Sequence, residues 1–405
     1  MTERAVKQTR SGLIVRFDKG IGMLVYSPFS SLIFAVHPDY TQHTLEWIEM
    51  KRQDPPKETF AKMIGPGWFI PLREAQYEMP YLLPSKDHWQ FLDPERPIVI
   101  NWLLTGRCQL ACKYCDAEDL MRNSIKEPEQ VDIENIAENI LSYNPIAIVL
   151  TGGDPLFSPY LDKAIKILYG RAGIMVDTNA YCFTSRHLEL FRKYRVAVRI
   201  SIDSEIPRIN DELRPVHNSG KPVQRKYCSV KRGSLEPAMN ALCQCLDAGI
   251  TVSVQSVATK KTANDLPAFG DKLFRMGVRS WRIHKVAPSS SKMKDFKQLI
   301  GGPKKEKQMY KHVFSELIRA YGNRWRNQFG LQLTHNVPPN AVILVAPDGR
   351  FFTESNVSVG KLILDEENPF KPRMKELFRK INKDGHTDRY LNLSSAHDIK
   401  ISKGG

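Results

Sequence analysis

The absences in this 405-residue sequence narrow the field before any motif does. No apolar run approaches the ~20 residues that a membrane helix needs. The longest are stretches such as Ile146-Ala147-Ile148-Val149-Leu150. The opening residues, Met1-Thr2-Glu3-Arg4-Ala5-Val6-Lys7, lack the apolar segment of a secretory signal. Both absences predict a cytoplasmic protein with no membrane partner. Cysteine is scarce and odd in number, seven residues with none after Cys245, which argues against a disulfide framework. Acidic residues are the minority charge: 44 Asp and Glu against 59 Lys and Arg leave a net charge of +15.

What is present is ordinary in bulk. Hydrophobic residues at 42% and charged residues at 25% describe a globular chain able to bury its own core, neither disordered nor collagenous. At roughly 150 residues per domain, the length predicts two or three domains. The basic excess is uneven. Between Lys285 and Arg326, eleven Lys or Arg stand against three acids, including Lys304-Lys305-Glu306-Lys307 and Arg324-Trp325-Arg326. That segment is either an anion-facing element, for RNA, an acidic peptide or a small anion, or a solvated basic face.

The cysteines carry the chemistry. Three fall within eight residues, as Cys108-Gln-Leu-Ala-Cys112-Lys-Tyr-Cys115. Three thiolates on one short loop can serve one metal centre. A structural zinc takes four protein ligands, commonly from two paired knuckles, and no second pair is evident. Cys243 and Cys245 sit two apart in a helical-looking segment, an offset that points their side chains to different faces. Thiolates suit an iron–sulfur cluster, and a cubane held by three of them keeps one iron open.

This loop, placed after the strand-like Ile98-Val99-Ile100-Asn101-Trp102-Leu103, resembles the signature of the radical S-adenosylmethionine enzymes, Cys-x3-Cys-x2-Cys with an aromatic, here Tyr114, before the last cysteine. The family often has Asn after the first cysteine, where this chain has Gln109. The resemblance implies a 4Fe-4S cluster on Cys108, Cys112 and Cys115 and S-adenosylmethionine on the open iron. It also implies reductive cleavage to methionine and a 5′-deoxyadenosyl radical that abstracts hydrogen from the substrate.

Downstream, apolar strand-like runs alternate with helix-like stretches, the pattern of parallel βαβ units. Ile133, Ile136, Ala137, Ile140 and Leu141 have helical spacing, and Ala147-Ile148-Val149-Leu150 is a buried strand running into Thr151-Gly152-Gly153-Asp154-Pro155. Gly152 and Gly153 let backbone come close to a ligand with a carboxylate beside it, or form a simple turn. The segment resembles the family's Gly-Gly-Glu loop, which grips the amino group of S-adenosylmethionine, with Asp154 in place of Glu. Gly173–Asp177 ends in Thr178-Asn179-Ala180, similar to the family's Thr-Asn-Gly. Val196–Ser204 resembles its Ser-Ile-Asp-Gly strand, with Ser204 in place of Gly. Ser201 and Asp203 lie on one side of that strand, placed to bond a ribose or the methionyl carboxylate, or as ordinary strand-end polar groups. Arg214 offers a cation near that carboxylate.

Leu235 to Ala248 reads as a helix ended by Gly249, followed by the strand Ile250–Val257. Asn264 and Asp265 open another helix, and Gly277–His284 is a sixth strand. Gln255 and His284 are either cofactor or substrate contacts or structural residues. Six repeats from about 97 to 288 predict an α/β fold, the partial (β/α)6 TIM-type barrel of the family, with its site at the C-terminal ends of the strands.

The flanks set the domain expectations: 1–92 an N-terminal α+β domain, 93–290 the barrel, 291–405 a basic helical segment and hairpin extension. In the first, Gly22–Tyr26, a Ser27-Pro28 turn, Leu32–Val36 and a helix from Pro38 to Met50 resemble the winged-helix element with which peptide-modifying members hold a leader peptide by strand addition. A packing subdomain is the alternative. In the last, Asn340–Phe352 and Val357–Leu362 form a hairpin with an Asp348-Gly349 turn. It resembles the extension where such members hold auxiliary clusters, but the cysteines are missing and Ser355 and Ser358 stand there. Cys228, Cys243 and Cys245 either build an auxiliary site or are free thiols. The leading expectation is a radical enzyme modifying a ribosomally made peptide or a protein side chain, served by an electron donor such as flavodoxin or ferredoxin. The alternatives are a radical enzyme acting on RNA or a nucleotide, and a non-catalytic iron–sulfur carrier or sensor.

Overall fold

The computed structural model describes residues 6–9, 13–18, 22–28, 32–36, 41–48, 97, 99–115, 132–217, 233–278, 280–286, 293–325, 330–334, 342–353, 358–361 and 390–393. Cys228 and residues 49–96 and 116–131 lie outside them.

The six expected barrel strands are β5 (Val99–Thr105), β6 (Ala147–Gly152), β7 (Gly173–Thr178), β8 (Ala197–Ser201), β9 (Val252–Ala258) and β10 (Ser280–Lys285). They pair in parallel in chain order. β11 (Gly330–Thr334) adds in parallel to β10, and β12 (Val342–Val345) adds in parallel to β5. Eight parallel strands result. Antiparallel β13 (Arg350–Thr353) and β14 (Ser358–Lys361) extend one edge, and β15 (Tyr390–Leu393) extends the other, so the described strands do not close into a barrel. The α/β class and the partial-barrel architecture stand, and strands from both sides of residue 290 share the one sheet.

Alternation along these strands creates two faces. Ile100, Trp102, Leu104, Ile148, Leu150, Val176, Val198, Ile200, Val254, Trp281 and Ile283 join one large core with helix residues such as Ile136, Ile140, Leu161, Ile165 and Phe269. The helices of this layer include α2 (Ile133–Ser142), whose N-terminus is capped by Asp132 accepting from the Asn135 amide at 3.0 Å, and α3 (Leu161–Leu168). The interleaved residues turn to the other, inner face. There Val99, Val149, Met175 and Ala197 make a small apolar floor.

The N-terminal segment is broader than a hairpin and a helix. β1 (Lys7–Gln8), β2 (Ile14–Asp18), β3 (Gly22–Ser27) and β4 (Leu32–Val36) form an antiparallel sheet in chain order, and α1 (Thr41–Ile48) follows. The sheet packs against the N-terminal ends of the parallel strands. Ile14, Leu24 and Tyr26 cluster with Ile146 and Ala147. The Tyr26 ring fills the space over Gly173, where an added Cβ would lie 2.2 Å from it. Arg16 donates from Nη1 to the carbonyls of Pro97 and Asn144, both at 2.8 Å. The opposite, C-terminal ends of the strands carry the cysteine loop.

Candidate functional site

β5 delivers the chain to Cys108, and the loop through Cys115 crosses the C-terminal ends of the neighbouring strands. The loop is fastened at both ends. Ala111 donates to the Pro215 carbonyl at 2.8 Å and Lys113 to the Leu213 carbonyl at 3.0 Å. The amide of Cys115 turns back to the Cys112 carbonyl at 3.2 Å. All three cysteines are half-buried.

Gly152-Gly153-Asp154 braces this loop from below. Gly153 donates to the Thr105 carbonyl and Asp154 to the Arg107 carbonyl, both at 2.8 Å. The two glycines are needed for this approach. A Cβ on Gly152 would lie 2.4 Å from the Thr105 carbonyl oxygen, and one on Gly153 only 2.0 Å from that of Arg107. Gly152 also has φ +127°, which side-chain-bearing residues rarely adopt. The missing Cβ atoms thus let the lead-in to the cysteine loop pack directly against this segment.

Asp154 likewise faces the protein. Its carboxylate accepts from the Leu156 amide at 3.0 Å, from Thr178 Oγ1 at 2.9 Å and from the Asn179 amide at 2.9 Å. Burial pushes its pKa up to about 6 against the lowering effect of these bonds. It ties the end of β6 to the end of β7. Asn179 continues the tie, with its Nδ2 3.5 Å from Cys108 Sγ and 3.5 Å from Gln109 Oε1. Gln109 donates in turn to Cys182 Sγ at 3.3 Å. Gln109 and Thr178, absent from the expected site, are therefore part of the loop's support.

A second group sits between the loop and the ends of β8 and β9. Tyr114 donates a short hydrogen bond to Asp203 Oδ2, and Arg214 Nη1 donates to Tyr114 Oη at 2.6 Å. Arg214 stands 3.8 Å from Asp203, whose Oδ1 accepts from the Val257 amide at 2.8 Å. Asp203 is fully buried and Arg214 7% exposed, so this aromatic–carboxylate–guanidinium set is held rigidly. Burial raises the Asp203 carboxyl pKa while the Arg214 charge opposes it. Ser201 and Gln255, one strand position below, join each other through Gln255 Nε2 to Ser201 Oγ at 2.8 Å. His284 on β10 lies in register with Val257 of β9 and is half-buried. Cys243 is exposed and Cys245 buried on one helix, as their offset predicted, so they do not face a common site.

The donor set, three thiols on one short loop, suits an iron–sulfur cluster. Among the described residues no three His, Cys, Asp or Glu side chains converge closely enough to hold one metal ion. A tetrahedral zinc needs such convergence at about 2.3 Å per thiolate. A cubane binds each thiolate at a different iron corner, so its ligands stand apart. Without a metal, burial, and next the Asp154 carboxylate, push the Cys108 thiol pKa up to about 12, so a bound cation is what would keep it a thiolate. The Arg214 cation near Cys112 offsets the charge so created.

Comparison with known proteins agrees with this geometry. Residues 102–269 match the sequence model of the Radical SAM superfamily. An S-adenosylmethionine-dependent nucleotide dehydratase of a Fibrobacter species is 25% identical over 277 residues, 64% of this chain and 78% of that protein. Mycofactocin maturase of Mycolicibacterium smegmatis is 24% identical over 222 residues, 53% of this chain and 51% of its own length. Among solved structures, SuiB of Streptococcus suis bound to S-adenosylmethionine has a TM-score of 0.55 at 10% identity, spanning 93% of this chain and 88% of SuiB. SuiB has also been solved with its precursor peptide SuiA, at a TM-score of 0.54. At that identity the likeness is one of fold.

Proposed function

We propose that this chain, whose residues 102–269 form a Radical SAM domain, is an enzyme that abstracts hydrogen from a peptide or protein side chain. The Cys108–Cys112–Cys115 loop at the end of β5 carries the reading, because it presents three thiols beside a buried cation at the mouth of a parallel sheet. When bound there, a reduced 4Fe-4S cluster would supply the one electron needed to cleave S-adenosylmethionine to methionine and a 5′-deoxyadenosyl radical.

The protein's own part is placement. Cys108, Cys112 and Cys115 hold the cluster, and the Gly-Gly-Asp brace fixes the loop that carries them. Arg214, oriented by Tyr114 and Asp203, offers its guanidinium to a carboxylate. Ser201 and Gln255 offer a hydroxyl and an amide to a ribose. The inner face below them, floored by apolar side chains and closed at its far end by the N-terminal sheet, keeps water and stray hydrogen donors from the reacting atoms.

A peptide substrate is supported by β4, which among the described strands is paired on one side only and so offers an edge for strand addition. The fold shared with SuiB, which binds SuiA, extends across nearly the whole chain. The nucleotide reading has its own support in the dehydratase match, which spans more of this chain than the maturase match does. The test is anaerobic reconstitution of the full chain followed by reduction with S-adenosylmethionine present. The expected products are methionine and 5′-deoxyadenosine, with both lost, and iron content lowered, in Cys112→Ala. Zinc in place of iron, or no cleavage by iron-loaded protein, refutes the reaction. Acceleration by nucleoside triphosphates and not by peptides refutes the substrate class.

A further inference from the structure

The basic stretch within residues 285–326 has a definite place beside the cysteine loop. The helix Met293–Ile300 packs its Leu299 and Ile300 with Leu213 into one apolar cluster, and Tyr114 of the loop lies against that cluster. The next helix, Pro303–Asn323, adds Met309 to it. Both helices therefore stand next to the loop, and burial of their apolar side turns the polar side outward. That side is mostly lysine. Between residues 297 and 311 the chain has five lysines and one acid, Glu306. Lys297, Lys305, Lys307 and Lys311 are exposed.

A chain of contacts joins these lysines to the loop. Lys113, between Cys112 and Cys115, pairs with Glu212 Oε1 at 3.1 Å, and Lys261 pairs with the same oxygen. The three side chains are 38–41% exposed. Lys260 and Lys261 follow β9 at its C-terminal end, and the Lys260 amide donates to the Leu299 carbonyl at 2.9 Å. The Lys297 carbonyl accepts from the Gly301 amide at 2.8 Å, and the stem of Lys305 lies over Gly301, 3.3 Å from where a Cβ would stand. Lys113, Lys260, Lys261, Lys297 and Lys305 thus form one exposed face around one carboxylate, and the face begins between two of the cysteines. It attracts an anionic partner. Its small size suits an electron-transfer encounter, which buries little area and depends on charge steering. Glu212, seated between Lys113 and Lys261, would repel a nucleic-acid backbone, whereas a protein surface can match both signs locally.

We propose that this face, from Lys113 through Lys260 and Lys261 to Lys297 and Lys305, is the docking surface for a small acidic one-electron carrier protein of the flavodoxin type. The inference rests on the radical reading of the cysteine loop and deepens it by naming where the electron enters. Lys113 shares the loop with the three thiols, so a carrier seated on it stands against the cysteines, and electron transfer through protein weakens steeply with distance. The carrier's reduced flavin gives up one electron and keeps its proton. The cluster on Cys108, Cys112 and Cys115 takes up that electron, and no bond forms or breaks between the two proteins.

Binding of oxidised flavodoxin to the reconstituted full chain is measured by calorimetry at low and high salt. Affinity should fall as salt rises. Lys260→Glu, Lys297→Glu and Lys305→Glu should each weaken binding about three- to tenfold. Lys166→Glu, exposed on α3 and outside this face, should leave it unchanged. Cleavage of S-adenosylmethionine is then driven by two reductants. With dithionite, which needs no docking, the three variants should match the wild type. With subsaturating reduced flavodoxin, each should be slower by its loss in binding. No flavodoxin binding, binding indifferent to salt and to the three reversals, equal slowing with both reductants, or displacement of flavodoxin by an equal concentration of oligouridylate overturns the proposal. Dithionite-driven cleavage with unaltered flavodoxin binding in the variants removes the docking face alone. Salt-dependent, variant-sensitive binding without dithionite-driven cleavage removes the radical reading alone.

Discussion

Gly153→Ala tests the claim that the Gly-Gly-Asp segment exists to brace the cysteine loop. An added Cβ would lie 2.0 Å from the Arg107 carbonyl oxygen and 2.3 Å from its carbon, against an ordinary contact of 3.4 Å or more. Backbone would have to separate by more than an ångström, because the obstructing atoms are main chain and no rotamer relieves them. That movement breaks the Gly153–Thr105 and Asp154–Arg107 hydrogen bonds, both 2.8 Å. Overpacking at about 1–3 kcal/mol and two backbone bonds at about 1 kcal/mol each give an expected loss of roughly 3–5 kcal/mol. Urea unfolding of the full chain measures it, with Gly249→Ala as the control. Gly249 has φ +68° but nothing within 4 Å of its added Cβ, so alanine there should lose only about 1 kcal/mol. Iron per chain after reconstitution is the second readout, and it should fall in Gly153→Ala and not in Gly249→Ala. Equal midpoints for the two variants, with iron retained in both, would refute the brace.

Three further outcomes follow from the same contacts. The Asp154 carboxyl is harder to ionise in the folded chain, its pKa raised from the usual 3.8 to about 6 by burial. Between those values the folded state holds the extra proton, so this group's contribution to stability falls as pH rises through the window and is level above it. The fall is about 3 kcal/mol at 1.36 kcal/mol per pH unit. Asp154→Asn should flatten that part of the urea midpoint curve, and parallel curves for wild type and variant between pH 4 and 7 would show the assignment wrong. Tyr114→Phe leaves Asp203 without its phenol donor and Arg214 without its acceptor, a loss of about 1–3 kcal/mol in positioning. S-Adenosylmethionine should bind roughly 5- to 150-fold more weakly with iron content unchanged; unaltered affinity by equilibrium dialysis would dismiss the triad's role. Tyr26→Ala removes the fully buried ring that covers Gly173, and calorimetric unfolding should show a loss of about 3–5 kcal/mol. A loss below about 1 kcal/mol would mean that the N-terminal sheet does not close the far end of the barrel strands.

What could be read from the sequence follows the range of the interactions involved. β5 to β10 were legible because short strand-like runs recur between helical periods, a local signal, with polar residues near the ends where a parallel sheet exposes its site. The cysteine loop was legible because three soft ligands in eight residues constrain chemistry by spacing alone. β11 and β12 were not legible as continuations of that sheet. β12 lies more than two hundred residues from β5 in the chain, and nothing in Val342–Val345 names Val99–Trp102 as its parallel partner. The glycines were legible in part. Their missing side chains announced a close approach, but the approaching backbone is Thr105–Arg107 of the same chain, and a sequence does not say which backbone a missing Cβ makes room for. Arg199 was passed over although its signal was local: it alternates with Val198 and Ile200 and shares the side of Ser201, a residue that was singled out. A charged residue between two buried aliphatics on a central parallel strand has no water to turn to, so it must face either a partner or a ligand. Asp177 satisfies one arm of it and leaves Nε without a hydrogen bond, a pairing across β7 and β8 that the sequence of either strand alone does not announce.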